Sequence, residues 1–298
     1  MTQTNFTQIL GRPVPTIQIM DVGAAALGQD RYHQLIALGC ANVTGFEPNP
    51  AEYAKLQNRK GPYRYLPVFL GNGAPARFHL ARYPGCSSLL APNAKVIDMF
   101  MTIGCADPGG NFHIIGTEMV DTVRLDDLSS SITIDYLKID VQGYELEIMR
   151  NGRKKLSNAV VIESEVEFVP LYQNQPLFGD IQCFMRDEGF VLHKFIDVAG
   201  RPFRPFNTPN PFYPISQLLW ADAIFIRDFT RLNSYSDDGL LKAATILDLV
   251  YGSYDIAALL LNEYDRRMQT NLCRQYREAL NSRQLSIHFL NVLDRPNQ

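Results

Sequence analysis

The sequence predicts an α/β fold, an open and mostly parallel sheet with helices on both faces, continued by an all-helical extension. Two acid-ended runs and one change of pattern carry that prediction. Residues 17–28 (Ile-Gln-Ile-Met-Asp-Val-Gly-Ala-Ala-Ala-Leu-Gly) and 137–143 (Leu-Lys-Ile-Asp-Val-Gln-Gly) each run apolar into an acid and a glycine turn, then give way to a helical pattern. Strands of a parallel sheet read in that way. After Ser236 the strand-like runs stop and helix-period stripes take over. In an open α/β sheet the ligand crevice lies outside the carboxyl ends of the strands, so Asp21 and Asp140 are both expected to line one pocket.

Composition agrees with a globular chain. At 298 residues, 46% apolar and 20% charged, with a formal charge of -3, it can bury a sizeable core and has no electrostatic footprint for nucleic acid. The five cysteines form no Cys-x-x-Cys pair, and the odd count points to a reducing compartment. The N-terminus has no signal-like apolar core and no run approaches the ~20 apolar residues of a membrane span. The expectation is a cytoplasmic protein.

The elements follow in order. Residues 16–22 read as the first strand, 29–38 as a helix closed by Gly39, and 42–47 as the second strand. Asn49 is placed to cap the next helix, with Pro50 at its first position. A third strand over 65–70 ends in Gly71-Asn72-Gly73, a turn that predicts a hairpin into 76–81. The Pro-, Gly- and Ser-rich stretch 82–116 reads as loop, with Ser87 and Ser88 as small polar donors. Strands are predicted over 117–125, 134–139 and 159–168, with a turn or helix starting at Asp126 and a helix over 144–156 whose last turn is basic. A helix over 176–188 stops at Gly189, and strands follow over 190–196 and 220–227. Five prolines between 201 and 214 exclude helix and central strand there and leave a loop or lid over the sheet edge. In the tail, Leu240, Ala244, Leu247 and Tyr251 form one stripe, and Ile256, Leu259, Leu260 and Tyr264 the next. A boundary near residue 230 divides a domain of 1–230 from a helical extension of 231–298.

Several residue types point to chemistry. Gly23, directly after a strand, lets the backbone approach a ligand. Ala25 stands where a dinucleotide fold needs its second glycine, and no lysine follows for a phosphate loop, so the run does not suit pyrophosphate. A ligand with a small carboxylate and an amine, such as the methionine half of S-adenosylmethionine, suits an acid followed by one glycine. Glu47, 24 positions after Gly23, is placed to accept from both hydroxyls of a ribose. Lys138 and Asp140 share a strand face, so Asp140 is the expected partner of the lysine. Glu163, Glu165 and Glu167 recur at period two; either of the first two could act as a base, and Glu167 is expected in solvent. Asn72 and Ser88 join the cofactor-contact candidates. The histidines show no metal-ligand spacing, His33 and His193 read as structural, and no metal centre is expected. Phe203, Phe206, Phe212 and Tyr213 are expected to pack their own loop rather than to hold an acceptor.

Asp21-Val-Gly23-Ala, Phe46-Glu47-Pro48, Ser87-Ser88-Leu89, Leu125-Asp126-Asp127-Leu128 and above all Leu137-Lys-Ile-Asp-Val-Gln-Gly-Tyr-Glu-Leu146 resemble the FkbM family of S-adenosylmethionine-dependent methyltransferases. The resemblance spans about residues 16–228. It implies a Rossmann-like, seven-stranded class I methyltransferase sheet, S-adenosylmethionine as cofactor, and O-methylation of a hydroxyl on a sugar or natural product, hence a small-molecule or glycan acceptor. It also implies that Asp21 and Gly23 flank the cofactor, that Glu47 takes the ribose, and that Asp140 sits at the methyl end. For an alcohol acceptor Asp140 is then the first candidate base, with Glu163 and Glu165 behind it. The chain departs from the family pattern in Ala25, where Asn is common, and in Gln142, where Glu is common. The alternative is a scaffold that keeps the fold and uses its tail helices for assembly, including homo-oligomerisation; a nicotinamide enzyme is disfavoured by Ala25.

Overall fold

The computed structural model describes residues 6–24 and 30–282. Seven strands form the main sheet: Ile17–Val22 (β1), Ala41–Phe46 (β2), Tyr63–Leu66 (β3), Tyr136–Ile139 (β4), Val161–Glu167 (β5), Phe190–Gly200 (β6) and Leu218–Arg227 (β7). Their spatial order is β3-β2-β1-β4-β5-β7-β6. All neighbours from β3 to β5 are parallel, whereas β7 runs antiparallel to both β5 and β6. The seven-stranded, mostly parallel sheet implied by the resemblance is therefore what the chain forms. The strand order reverses beside β1, where the chain leaves toward β2 on one side and returns as β4 on the other. A crevice opens at such a point.

Alternation of side chains gives the sheet two apolar faces. Met20, Val22, Leu137, Ile139, Ile162 and Phe225 point to one, against Ile148, Ile181 and Phe184 of the helices Glu145–Arg150 and Phe178–Asp187. Ile17, Ile19, Val43, Tyr136, Val161 and Ile224 point to the other. That second face is covered by the tail helices Asp237–Leu249, Tyr254–Met268 and Leu272–Ser282. Ser236 caps the first of them, its Oγ accepting from the Gly239 N–H at 3.0 Å. Leu240, Ala244 and Leu247 are fully buried against the sheet, and each leucine contributes roughly 1.5–3 kcal/mol. In the second tail helix the buried stripe is Ile256, Ala257, Leu260, Leu261 and Tyr264. Leu259 falls off its edge and is 39% exposed, unlike its expected place.

Other departures have local causes. The predicted strand over 65–70 is cut by Pro67, which has no N–H to give a ladder. Tyr63–Leu66 stays in the main sheet, while Phe69–Gly71 pairs in parallel with Thr122–Arg124. Ala76–Ala81 pairs antiparallel with Ile114–Val120, so Gly71-Asn72-Gly73 is a turn between two small sheets and not a hairpin. The helix predicted over 144–156 divides into Glu145–Arg150 and Arg153–Leu156 at Asn151-Gly152. The helix predicted over 29–38 is the short His33–Ala37, and Gln29 lies outside the described residues. The proline-bearing loop is strapped to residues 99–103: Met101 N–H donates to the Pro202 carbonyl at 2.9 Å, and Arg204 donates to the carbonyls of Phe100 and Ile103. Phe203 stacks on Phe100, but Phe206, Phe212 and Tyr213 are 62–70% exposed and do not pack the loop as expected. No helix among the described residues is long and apolar enough to cross a membrane.

Candidate active site

The strand ends at the reversal point are tied together by backbone bonds. Gly23 N–H donates to the Phe46 carbonyl and Asp140 N–H to the Val22 carbonyl, each at 3.0 Å. Gly23 has φ +83°, and a Cβ there would stand 1.9 Å from the Asp140 carbonyl oxygen. Only glycine allows β1 and β4 to close at this distance. Glu47, one residue past β2, is 6% exposed, and its Oε1 accepts from the Asn49 N–H at 2.7 Å. Asn49 in turn caps the helix Pro50–Leu56 through the Ala51 N–H at 2.9 Å. Burial pushes the Glu47 carboxyl up, and the Asn49 bond opposes this.

These groups line one cleft. Gly23, Glu47, Ser88, Asp140 and Gln142 contribute its polar wall, and Val68, Phe69, Phe78, Leu89 and Tyr144 its apolar one. Counted to its open mouth, solvent included, the cleft spans about 980 Å³.

Beside the cleft stands a group of acids held by one amide. Gln142, at φ +60°, donates from Nε2 to Asp140 Oδ1 at 2.9 Å and to Glu165 Oε2 at 2.6 Å. Its Oε1 lies 3.0 Å from the Tyr172 hydroxyl, and its backbone carbonyl accepts from Ser88 Oγ at 2.7 Å. Glu145, opening the next helix, accepts on Oε1 from the N–H groups of Val141 and Gly143 at 2.8 and 3.1 Å. Burial and the nearby Asp140 raise its carboxyl to about 7, against those two bonds. Glu165 and Glu167 are pushed well above the usual carboxylate range, first by burial and then by the charges of their neighbours. Glu167 is 2% exposed, which corrects its expected place in solvent.

Of the residues singled out from sequence, Gly23, Glu47, Ser88 and Asp140 line the cleft, and Glu165 bonds to its Gln142. The other three lie off the cleft. Asp21 points to the sheet face of Ile17 and Ile19, opposite Val22 in the cleft wall. It is buried, accepting from the Tyr32 hydroxyl at 2.6 Å and from Lys138 Nζ at 3.4 Å. Lys138 is thus paired with Asp21 and not with Asp140 as expected. Glu163 is buried under the tail, accepting from the hydroxyls of Tyr136 and Tyr251 at 2.8 and 2.6 Å and from Arg31 at 3.1 Å. Asn72 stays in its turn and accepts from the Ala74 N–H. Ala25 lies outside the described residues. Sequence reasoning missed the parts of Gln142, Glu145 and Tyr172. Glu145 stands four residues after Val141 and two after Gly143, whose N–H groups it accepts from, and an acid just past a strand-ending glycine turn is a signal that could have found it; for Tyr172 there is none.

The sequence model of the methyltransferase FkbM domain matches residues 21–192, from the end of β1 into β6 and more than half of the chain. The chain belongs to the FkbM methyltransferase family. It is accordingly an S-adenosylmethionine-dependent methyltransferase of the class I fold. Solved structures similar to this FkbM protein include a putative methyltransferase from Thermoplasma acidophilum, at 9% identity and TM-score 0.38 over 74% of this chain and 71% of that one. Magnesium protoporphyrin IX methyltransferase from Synechocystis PCC 6803 is similar at 12% identity and TM-score 0.35, over 72% and 71%. So is the 1,6-didemethyltoxoflavin-N1-methyltransferase of Burkholderia thailandensis, at 11% and 0.34, over 75% of each. No curated protein matches the sequence. The cleft of the FkbM chain suits the family's cofactor in its chemistry: a strand end bare of any Cβ at Gly23, a carboxyl at the end of β2, and apolar walls for a flat ring.

Proposed function

We propose that this FkbM methyltransferase methylates a hydroxyl of a small-molecule or glycan acceptor, with Asp140 as the proton acceptor and Glu165 as its neighbour. The observation that carries this reading is the Gln142 bridge. It fixes Asp140 at the wall of the same cleft that holds Gly23 and Glu47, and ties Glu165 to that wall from beside it. Gly23 and Glu47 would hold the cofactor, Glu47 by accepting from ribose hydroxyls and Gly23 by close backbone approach; Ser88, bonded to the Gln142 carbonyl, supports the same wall.

When bound, S-adenosylmethionine supplies an activated methyl group on a sulfonium. The protein's own part is then mainly to orient the acceptor oxygen, which can contribute several kcal/mol. An alcohol also needs a group to take its proton. Asp140 Oδ1 is held by Gln142, and the Asp140 carboxylate would take the proton leaving the acceptor oxygen. Such a base contributes on the order of 100- to 10,000-fold. Val68, Phe69 and Leu89 give the cleft an apolar wall on one side.

The test is a methyl-transfer screen with isotope-labelled cofactor against sugars and polyketide alcohols, with products located by mass spectrometry and NMR. The expected product carries its new methyl on oxygen, and Asp140→Asn lowers turnover at least 100-fold with cofactor binding retained. A methyl found on nitrogen or carbon, or an Asp140→Asn enzyme within threefold of wild type, would remove the proposal.

A further inference from the structure

The loop that joins β6 to β7, residues 201–217, holds an apolar surface open to solvent. Phe206, Phe212, Tyr213 and Ile215 are 58–70% exposed, and Met99, whose carbonyl accepts from the Arg204 N–H, is half exposed beside them. Large apolar groups gathered in this way mark an interaction surface. Five prolines stiffen the loop, so little conformational freedom is lost when it meets a partner. A groove runs into it between Arg201, Phe203, Phe206, Ile215 and Ser216. The charges of the loop narrow the choice of partner: it has two arginines and no acid. Arg201 Nη1 donates to the carbonyls of Gly200 and Phe212, and Arg204 donates to those of Phe100 and Ile103. Among the described residues neither guanidinium is in an ion pair with an acid. Arg201 lies over the Trp220 ring, 4.9 Å from its centre, and its Nε is buried with no hydrogen-bond partner. Burial pulls its pKa down, and no acid pushes the other way. A cation so placed lacks its anion.

From this juxtaposition we infer that the 201–217 loop docks on an anionic lipid surface, with Arg201 taking a headgroup phosphate in the groove and Phe206, Phe212, Tyr213 and Ile215 entering the interface. Aromatic side chains suit the boundary between headgroups and acyl chains, and arginine suits phosphate. Side chains that stand this far out of a loop need a yielding partner, which a bilayer surface is. A second copy of the chain does not meet the charge: a two-fold contact through this loop would bring arginines toward arginines with no acid between them. Trp220 pairs with Glu167, the last residue of β5, so the loop before it lies at the carboxyl end of β5, the sheet edge on which the cleft opens. Docking therefore turns that edge toward the lipid. It rests on the loop alone and not on which atom the enzyme methylates.

The full-length protein is mixed with vesicles of phosphatidylcholine, or of phosphatidylcholine with one third phosphatidylglycerol. Binding is read by co-sedimentation and by the emission of Trp220, the chain's one tryptophan, with brominated acyl chains as quencher. Each arginine near an anionic surface adds about fivefold to partitioning, so the phosphatidylglycerol vesicles should bind at least tenfold more strongly. That preference should shrink in molar salt, and Trp220 should be quenched. The double variant Phe206→Ser, Tyr213→Ser should bind at least tenfold more weakly with its melting temperature unchanged, which shows that it folds. Arg201→Gln should lose most of the preference for anionic vesicles. Absence of binding at millimolar lipid overturns the inference, as do equal binding to both vesicles and a double variant that binds like wild type. A dimer in sedimentation velocity that the double variant dissolves assigns the surface to a second copy instead. Binding of free glycerol phosphate without binding of vesicles assigns the groove to a soluble anion, and either result removes the lipid docking.

Discussion

Gly23→Ala tests the closure of the sheet at its reversal point. The substitution adds one methyl group, and that methyl would stand 1.9 Å from the Asp140 carbonyl oxygen and 3.0 Å from its carbon. An ordinary carbon–oxygen contact needs more than 3 Å, so the ends of β1 and β4 must part by over 1 Å. Parting them breaks or stretches the bond from Asp140 N–H to the Val22 carbonyl, worth about 0.5–1.5 kcal/mol. The left-handed backbone at φ +83° costs a residue with a Cβ roughly 1–2 kcal/mol more. Together the loss of unfolding free energy is about 1.5–3.5 kcal/mol, and the displaced Asp140 and Gln142 should weaken cofactor binding at least tenfold. Urea unfolding followed by tyrosine fluorescence and circular dichroism gives the first quantity, and calorimetry the second. A loss below 1 kcal/mol together with unchanged cofactor affinity would refute the account of why glycine stands there.

Other expectations concern the remaining walls and the covered face. Glu47→Ala should weaken S-adenosylmethionine binding by about 1.5–3 kcal/mol, the value of a bond to a charged group, and a loss below threefold in calorimetry would remove the ribose assignment. Tyr251→Phe takes away the 2.6 Å donor to buried Glu163 and should cost about 1–3 kcal/mol in denaturant unfolding while leaving cofactor affinity alone; equal stability would show that Tyr136 and Arg31 suffice. Burial, helped by Lys194, lowers the His193 pKa to about 4, whereas Asp255 opposes it. Between that value and the unfolded value near 6.5 the unfolded chain binds more protons, so stability falls as pH drops through this window, by at most ~1.4 kcal/mol per pH unit. His193→Gln should remove that share of the slope, and parallel melting curves of the two proteins from pH 7 to pH 4.5 would contradict it.

The residues that end strands were legible because their neighbours in sequence set their surroundings. Ile17–Val22 followed by Gly23, and Tyr136–Ile139 followed by Asp140, each carry their own strand and turn, so the meeting of Gly23, Glu47 and Asp140 at one cleft could be read from the chain alone. Parity along a strand was legible too, since Asp21 shares its face with Ile17 and Ile19. What parity does not tell is which face the tail covers. That depends on Tyr251 and Leu247 reaching the sheet from more than a hundred residues beyond β4, and it decides that Asp21 and Glu163 are sealed in rather than open to the cleft. The hairpin expected at Gly71 failed for a similar reason, because Thr122–Arg124, fifty residues on, offers Phe69–Gly71 a parallel partner. Gln142 was visible only as a departure from a pattern; its bridging amide depends on β5 bringing Glu165 alongside.

The antiparallel β7 has a practical consequence. The family match stops inside β6, yet β7 lies between β6 and β5 and gives both of them their ladder. A fragment trimmed to the matched region would leave β5 with a bare hydrogen-bonding edge in the middle of the molecule and keep only the first three residues of β6, a state that invites self-association. The stretch by which this enzyme is recognised is therefore shorter than the stretch that must be synthesised before it can fold.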